Sequence, residues 1–215
     1  GILICRTSDL KDLGAAFKGG NNAEHHNHND IGSFVIAAGE GLPFAADPGS
    51  EVYTKRTFSK DRYDSKLLSS YGHSVPVVAG KLQKTGSDAA AKVLKTDFNA
   101  QIDVFTIDIK SAYDVPALEK LSRTFIFERE SPAVYVTDEV EFTEESSFEE
   151  AVITFFEPEI LENKEGILLS NGSGKKIRMK IDANGLTYTI KTERIEEDIS
   201  YKSKPFRIAI KIDGP

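Results

Sequence analysis

Three of the four histidines of this chain stand in one short polar run, which reads Glu-His-His-Asn-His-Asn-Asp from position 24 to position 30. Imidazole is the commonest metal ligand in proteins, and its ordinary pKa near neutrality also suits it to acid–base chemistry. If the run is extended, side chains alternate along it, and His26, His28 and Asp30 point to the same side. Two imidazoles and a carboxylate on one face would begin a metal site or an acid–base site. A solvated surface turn is the alternative interpretation.

Two later residues offer further ligand atoms. Asp47 precedes Pro48 and Gly49, where an aspartate either opens the turn through its own backbone or serves as a ligand. His73 is the fourth histidine, and it is either a buried, hydrogen-bonded imidazole or a ligand. Together with His28, these residues match the ligand set of an open zinc site, in which water or substrate takes the fourth position. The three are far apart in sequence, so only the fold can bring them together.

The composition excludes two classes of function. A net charge of −7 argues against nucleic-acid binding, which needs a basic surface, and the chain has no apolar run long enough to span a membrane. A local basic segment nevertheless follows the histidines, and local potential steers an anionic ligand more than net charge does. Its members are Lys55, Arg56, Lys60, Arg62 and Lys66, with Asp61 and Asp64 among them. A solvated face is the alternative interpretation of this segment.

The elements that must position these residues are predicted to be β-strands almost throughout. Short runs rich in β-branched and aromatic residues alternate with turn signals, which is typical of half-buried strands. The runs lie at 33–37, 101–109, 123–128, 133–142, 151–156, 166–169, 177–181, 186–192 and 206–212. Only 87–93 and 115–121 are candidate helices, and both are short. The pattern predicts an all-β, antiparallel β-sandwich with little helix, and a length of 215 residues fits one such domain over 1–215.

Four stretches of the first third of the chain resemble the heparinase II/III-like polysaccharide lyases, and they follow the order of that family. They are 13–20 (LGAAFKGG), 26–34 (HNHNDIGSF), 46–50 (ADPGS) with Tyr53, and 71–73 (YGH). The family pairs an N-terminal α/α toroid with a C-terminal β-sandwich of the super-sandwich type. The resemblance therefore implies that this chain is the C-terminal part of a larger lyase whose toroid is absent here.

The resemblance also implies roles for individual residues of the histidine run and its surroundings. It places zinc on His28, Asp47 and His73. It makes His26 a catalytic or substrate-facing histidine, and Tyr63 stands where some members of the family carry an active-site tyrosine.

Lyase chemistry explains why such residues are needed. A polysaccharide lyase removes the C5 proton of a uronic acid and expels the oxygen at C4. Neutralising the neighbouring carboxylate stabilises the enolate-like transition state, a base of matched pKa takes the proton, and an acid protonates the leaving oxygen. We expect His26 to act as the base or to neutralise the carboxylate, and Tyr63 to transfer a proton. Zinc is expected to fix the segment 26–28 rather than to attack the substrate.

The remaining expectations concern the substrate and the setting of the protein. The substrate is expected to be an anionic polysaccharide held by Arg62, Lys55 and Arg56. Asp30 is expected to orient an imidazole rather than to bind the metal. Because family members are typically secreted or periplasmic, the resemblance implies the same location for this protein.

Two other functions fit part of the sequence. The chain contains the opening of a cupin metal motif, in which Gly20 is followed after five residues by His26-Asn27-His28. Such a motif suits non-haem iron. That motif next requires a glutamate, and Gly32 and Ser33 stand in its place. The third possibility is a non-catalytic carbohydrate-binding sandwich, whose histidines only hold loops together. Such modules usually expose an aromatic platform. The chain has no tryptophan to form one, but its 7 tyrosines and 13 phenylalanines leave this possibility open.

Overall fold

The computed structural model describes residues 1–8, 13–41, 43–162, 166–171, 174–201 and 203–213, with the Asp213 side chain left out. In these ranges the regular structure is β-strand, apart from short 3₁₀ helices, and the strands pair in the antiparallel sense. The strands are β1 Ile2–Arg6, β2 Gly14–Lys18, β3 Asn21–Asn22, β4 Phe34–Ala37, β5 Val77–Val78, β6 Gly86–Ala90, β7 Lys92–Phe98, β8 Ile102–Asp108, β9 Leu118–Glu128, β10 Ala133–Phe142, β11 Ser147–Thr154, β12 Glu159–Ile160, β13 Ile167–Ser170, β14 Lys176–Met179, β15 Tyr188–Arg194 and β16 Phe206–Asp213. The 3₁₀ helices are Arg56–Phe58, Arg62–Asp64, Ser70–Gly72 and Lys110–Ala112. The all-β, antiparallel prediction is confirmed.

Two four-stranded sheets form the main layers of the sandwich, in the orders β10-β9-β8-β7 and β15-β16-β11-β5. The smaller sheets are β1-β2-β4, β12-β13-β14 and β3-β6. One apolar cluster joins their inner faces, because alternate residues of the strands point inward. On β8, for example, Phe105 and Ile107 are buried between half-buried neighbours, and Phe125 of β9 stacks on Phe17 of β2 at a ring-centroid distance of 4.4 Å.

Both candidate helices are wrong. The segment 87–93 lies in β6 and the start of β7, and 115–121 lies in a loop and the first residues of β9. Helix propensity is a weak preference that tertiary pairing overrides. Ala90 pairs with Asn21, and Lys92 pairs with Asp108, so the alanine-rich segment 89–91 is held between two strand partners.

A buried ion cluster links the two main sheets. Arg123 on β9 is fully buried, and its Nε and Nη2 donate to the Asp138 carboxylate on β10 at 2.8 and 2.6 Å. The same Nη2 donates to Glu150 on β11, in the facing sheet. Burial raises the pKa of the Glu150 carboxyl to about 8. The positive charge of Arg123 opposes this increase, and repulsion from Asp138 adds to it. Glu150 therefore holds its proton at neutral pH.

This cluster predicts a pH dependence of stability. The folded chain keeps a proton on Glu150 that the unfolded chain releases near its ordinary pKa of 4.5, so stability should fall as pH rises from about 4.5 to about 8. Glu150→Gln carries no such proton and should flatten that slope in urea unfolding measured between pH 4.5 and 9. Glu149→Gln, at the neighbouring position that pairs with Arg207, should keep the slope. Parallel stability curves for the wild type and Glu150→Gln would contradict the assignment.

Within the described part of the chain, we find no helix of the length and apolar character that crossing a membrane requires.

Candidate metal centre

The histidine run forms a turn between β3 and β4 rather than an extended segment. His26 adopts a left-handed backbone with φ of 57°, and the Asn27 N–H donates to the Glu24 carbonyl at 3.2 Å. The expectation that His26, His28 and Asp30 share one side of an extended run is therefore wrong. His26 is exposed, His28 is half-buried and Asp30 is buried, so the turn gives the three side chains different access to solvent.

A glutamine that carries no sequence motif fixes the end of this turn. The Gln83 amide accepts from the Ile31 N–H at 3.0 Å and donates to the Ile31 carbonyl at 2.7 Å, as a strand neighbour would. The Asn29 N–H donates to the Leu68 carbonyl at 3.1 Å, which ties the same turn to the segment that leads to His73. The backbone directly after His28 is thus fixed at two positions, Asn29 and Ile31.

The fold brings His28, Asp47 and His73 together, as the sequence predicted. One ligand atom from each residue lies within 4.8 Å of the other two. The two imidazole rings are 5.1 Å apart between centroids, and His73 Nδ1 is 3.8 Å from Asp47 Oδ2. The three residues come from three separate loops, so this proximity is a property of the fold and not of local sequence.

The His73 imidazole has one satisfied and one unsatisfied nitrogen. Its Nε2 lies 3.0 Å from the Leu67 carbonyl, which can only accept, so Nε2 carries the proton and Nδ1 presents a lone pair. His73 is 1% exposed, and Nδ1 is a buried atom without a hydrogen-bond partner among the described residues. Buried polar atoms are nearly always paired in folded proteins, so this acceptor facing a carboxylate makes His73 a candidate metal ligand.

Asp47 closes its turn with one carboxylate oxygen and directs the other toward His73. Its Oδ1 accepts from the Gly49 N–H at 2.8 Å, which closes the Pro-Gly turn, while Oδ2 faces His73. Partial desolvation opposes ionisation, but His73, the Gly49 N–H and His28 together hold the pKa of this carboxyl below its usual range. Its side chain is 42% exposed, so the site is open to solvent on the Asp47 side.

The protonation states favour a metal ligand set. Burial, followed by the neighbouring His73, lowers the pKa of His28 to about 4, although Asp47 and Asp30 act in the opposite direction. At neutral pH, His28 is therefore uncharged and Asp47 is an anion. Two imidazole nitrogens and one carboxylate are a ligand set that could hold zinc with one position left open.

Ile153 on β11 forms hydrogen bonds with two of the three loops that carry the candidate ligands. The Ile153 carbonyl of β11 accepts from the Ala46 N–H at 2.8 Å, and the Ile153 N–H donates to Ser74 Oγ at 3.0 Å. Ala46 precedes Asp47, and Ser74 follows His73, so a single buried strand residue sets the spacing between these two candidate ligands.

Tyr63 and Arg62 lie beside the histidine turn. The Tyr63 hydroxyl donates to Asn27 Oδ1 at 3.0 Å. Arg62 donates to the Asn27 carbonyl at 3.0 Å and to the Thr57 carbonyl at 2.8 Å, so it fastens the basic segment to the turn that carries His26. The predicted tyrosine is therefore next to the predicted histidine, although their sequence separation gave no reason for this.

Arg56 and Asp30 have partners that the sequence did not predict. Arg56 is bound to the buried Glu51 and to Glu197, which neutralise its charge and do not favour a substrate contact. The partner of Asp30 is Lys18 rather than an imidazole, so the expected orienting hydrogen bond is not what holds His28. Lys55 lies exposed on the same segment as Arg56.

The sequence matches no protein-family model and no curated protein, but the fold is shared with solved structures. A mutant of the heparan sulfate lyase HepC from Pedobacter heparinus aligns over 98% of this chain with a TM-score of 0.77 and 17% identity. The heparinase III BT4657 gene product aligns over 100% of this chain with a TM-score of 0.76 and 16% identity. In each case the chain spans only 32% of the lyase. At this level of identity the comparison establishes the fold alone. The resemblance predicted from the motifs is confirmed at that level: over its whole length the chain has the fold of about a third of a heparinase III chain.

Proposed function

We propose that this chain is the zinc-organised β-sandwich of a polysaccharide lyase that cleaves a uronic-acid-containing, anionic polysaccharide by β-elimination. The observation that carries the proposal is the convergence of His28, Asp47 and the orphaned Nδ1 of His73 beside a turn that exposes His26. The fold shared with heparan sulfate lyases supports it. The chain spans about a third of those lyases, so we further propose that an α/α toroid completes the cleft. We also propose, from the motif resemblance, that the whole protein acts in the periplasm or outside the cell.

The chemistry assigned to this chain is a balanced elimination. His26 takes the C5 proton, or neutralises the uronate carboxylate while another base takes it. The C5–H electron pair becomes the C4=C5 double bond, and the C4–O bond breaks. Tyr63 gives its proton to the departing oxygen, and its present hydrogen bond to Asn27 aims the hydroxyl toward the histidine turn. Zinc, when bound to His28, Asp47 and His73, would supply a fixed charge that holds this turn in place.

The proposal predicts a metal content. Purified protein should carry about one zinc per chain, because one open site of three ligands is present among the described residues. Elemental analysis after dialysis measures it, and a chain free of transition metal would contradict the zinc assignment. Tightly bound iron with oxygen-dependent turnover would favour the cupin alternative, although no ligand stands at Gly32 or Ser33 where a cupin needs one.

A carbohydrate-binding module is the second candidate, and exposed aromatic rings favour it. Tyr53 and Phe58 are 65% and 72% exposed, and their rings meet edge to face at 5.3 Å. A panel of uronic-acid polymers given to the full-length protein separates the two candidates. Release of unsaturated uronate, followed by ultraviolet absorbance, supports the lyase, while binding without release supports the module.

A further inference from the structure

Arg123 contacts two of the three loops that form the candidate metal centre. Besides its carboxylate partners, its Nη1 donates to the Gly32 carbonyl at 2.9 Å and to the Ser74 carbonyl at 3.2 Å. Gly32 ends the turn that carries His28, and Ser74 directly follows His73. One buried guanidinium therefore bridges the backbones beside two candidate ligands that are 45 positions apart in the sequence.

We propose that Arg123 is the positioning residue of the metal centre: it sets the distance between the His28 and His73 loops and thereby determines zinc affinity. This inference rests on the metal site of the proposed function. A guanidinium is planar, and its N–H donors have a fixed geometry. The carboxyl groups bound to one side of it therefore determine where the carbonyls bound to the other side lie. Asp138 and Glu150 anchor the fork from two strands, and the two carbonyls are positioned by it.

The backbone at Gly32 supports this role. Gly32 has φ of +82°, a conformation that glycine adopts readily and other residues rarely do. A Cβ at this position would lie 3.2 Å from Ile109 Cδ1 and 3.6 Å from Arg123 Cδ. The close approach of the Gly32 carbonyl to Arg123 therefore uses both the conformation and the small size of glycine.

Lysine cannot replace this geometry. Its ammonium group keeps the charge but has three donors at one point, whereas the Arg123 fork serves the carboxyl groups of Asp138 and Glu150 and two carbonyls. Arg123→Lys should therefore keep part of the interaction with the carboxyl groups while releasing at least one of the two loops. Altering groups that orient metal ligands typically costs 10–100-fold in metal affinity.

The test compares Arg123→Lys with Arg129→Lys in the metal-free protein titrated with zinc against a chromogenic chelator. Arg129 also pairs with a carboxylate, that of Asp103, and donates to two backbone carbonyls, but these belong to Arg6 and Asn99 and not to the loops of the triad. We expect about 10–100-fold weaker zinc binding for Arg123→Lys, a changed visible spectrum of the cobalt form, and less than about a twofold change for Arg129→Lys.

A second readout keeps the inference separate from the zinc assignment. In the metal-free wild type, the His28 and His73 rings should show a nuclear Overhauser contact, because their centroids are 5.1 Å apart. Loss of that contact in Arg123→Lys supports the positioning role even if the wild type binds no zinc, which would count against the proposed function alone. If the wild type binds zinc, equal zinc affinities in the two lysine variants would overturn the inference. An unchanged ring contact in Arg123→Lys would overturn it whether or not zinc binds. If Arg123→Lys does not fold, Gly32→Ala tests the same loop with the ion cluster intact, and unchanged zinc affinity there overturns it.

Discussion

With zinc in excess, the His28→Ala variant should melt about 8–16 °C below the wild type. A ligand at 1,000 times its dissociation constant stabilises the folded state by about 4 kcal/mol, and each kcal/mol moves the melting temperature of a chain of this size by about 2–4 °C. His28→Ala removes one of three candidate ligands and so removes most of this stabilisation. Thermal denaturation followed by circular dichroism, with zinc in excess, measures the difference.

Two controls separate the lost metal from lost packing. In excess chelator, the wild type should fall to nearly the melting temperature of His28→Ala, since His28 is only half-buried. His26→Asn should keep the zinc-dependent shift of the wild type, because His26 is not a candidate ligand and asparagine accepts the left-handed backbone at this position. Equal melting shifts for the two histidine variants would show that neither imidazole is preferentially linked to the metal.

Much of the fold could be predicted because the alternation of apolar and polar residues along a strand is visible in the sequence. The strand predicted at 133–142 coincides with β10, and that at 101–109 contains β8. The candidate helix at 87–93 failed because its alanine-rich stretch carries no alternation. The partners that make it a strand, Asn21 and β8, are distant in sequence. Long-range pairing of this kind leaves no local signal.

The same limit applies to the candidate site. Residue types and motifs are visible in the sequence, but contacts between distant segments are not. His28, Asp47 and His73 could be named because their residue types suit a metal and because the motifs around them resemble those of the heparinase II/III-like lyases. The groups that hold them could not, since the Leu67 carbonyl is backbone and Gln83 and Arg123 belong to no motif. The turn at His26 was only the alternative to an extended run, because a polar run gives no sign of a left-handed residue.

Replacing His26 should abolish most of the catalysis and leave the metal in place. Proton transfer by a positioned side chain contributes about 10²–10⁴-fold to the rate, so His26→Ala in the full-length protein should lose that factor in the release of unsaturated uronate. Its zinc content should match the wild type. His25→Ala is the matched control, because His25 is the adjacent exposed histidine of the same turn and is expected to retain full activity.

The asparagine variant distinguishes the two roles that His26 has in the proposal. An amide cannot accept the C5 proton as a base, but it can donate a hydrogen bond to the uronate carboxylate and fits the φ of 57° at this position. If His26 is the base, His26→Asn should be as inactive as His26→Ala. If His26 neutralises the carboxylate, His26→Asn should recover a large part of the rate that His26→Ala loses. Full activity in both variants, with unchanged binding of the polysaccharide, would remove His26 from the reaction and leave the exposed pair Tyr53 and Phe58 of a binding module as the better account of this surface.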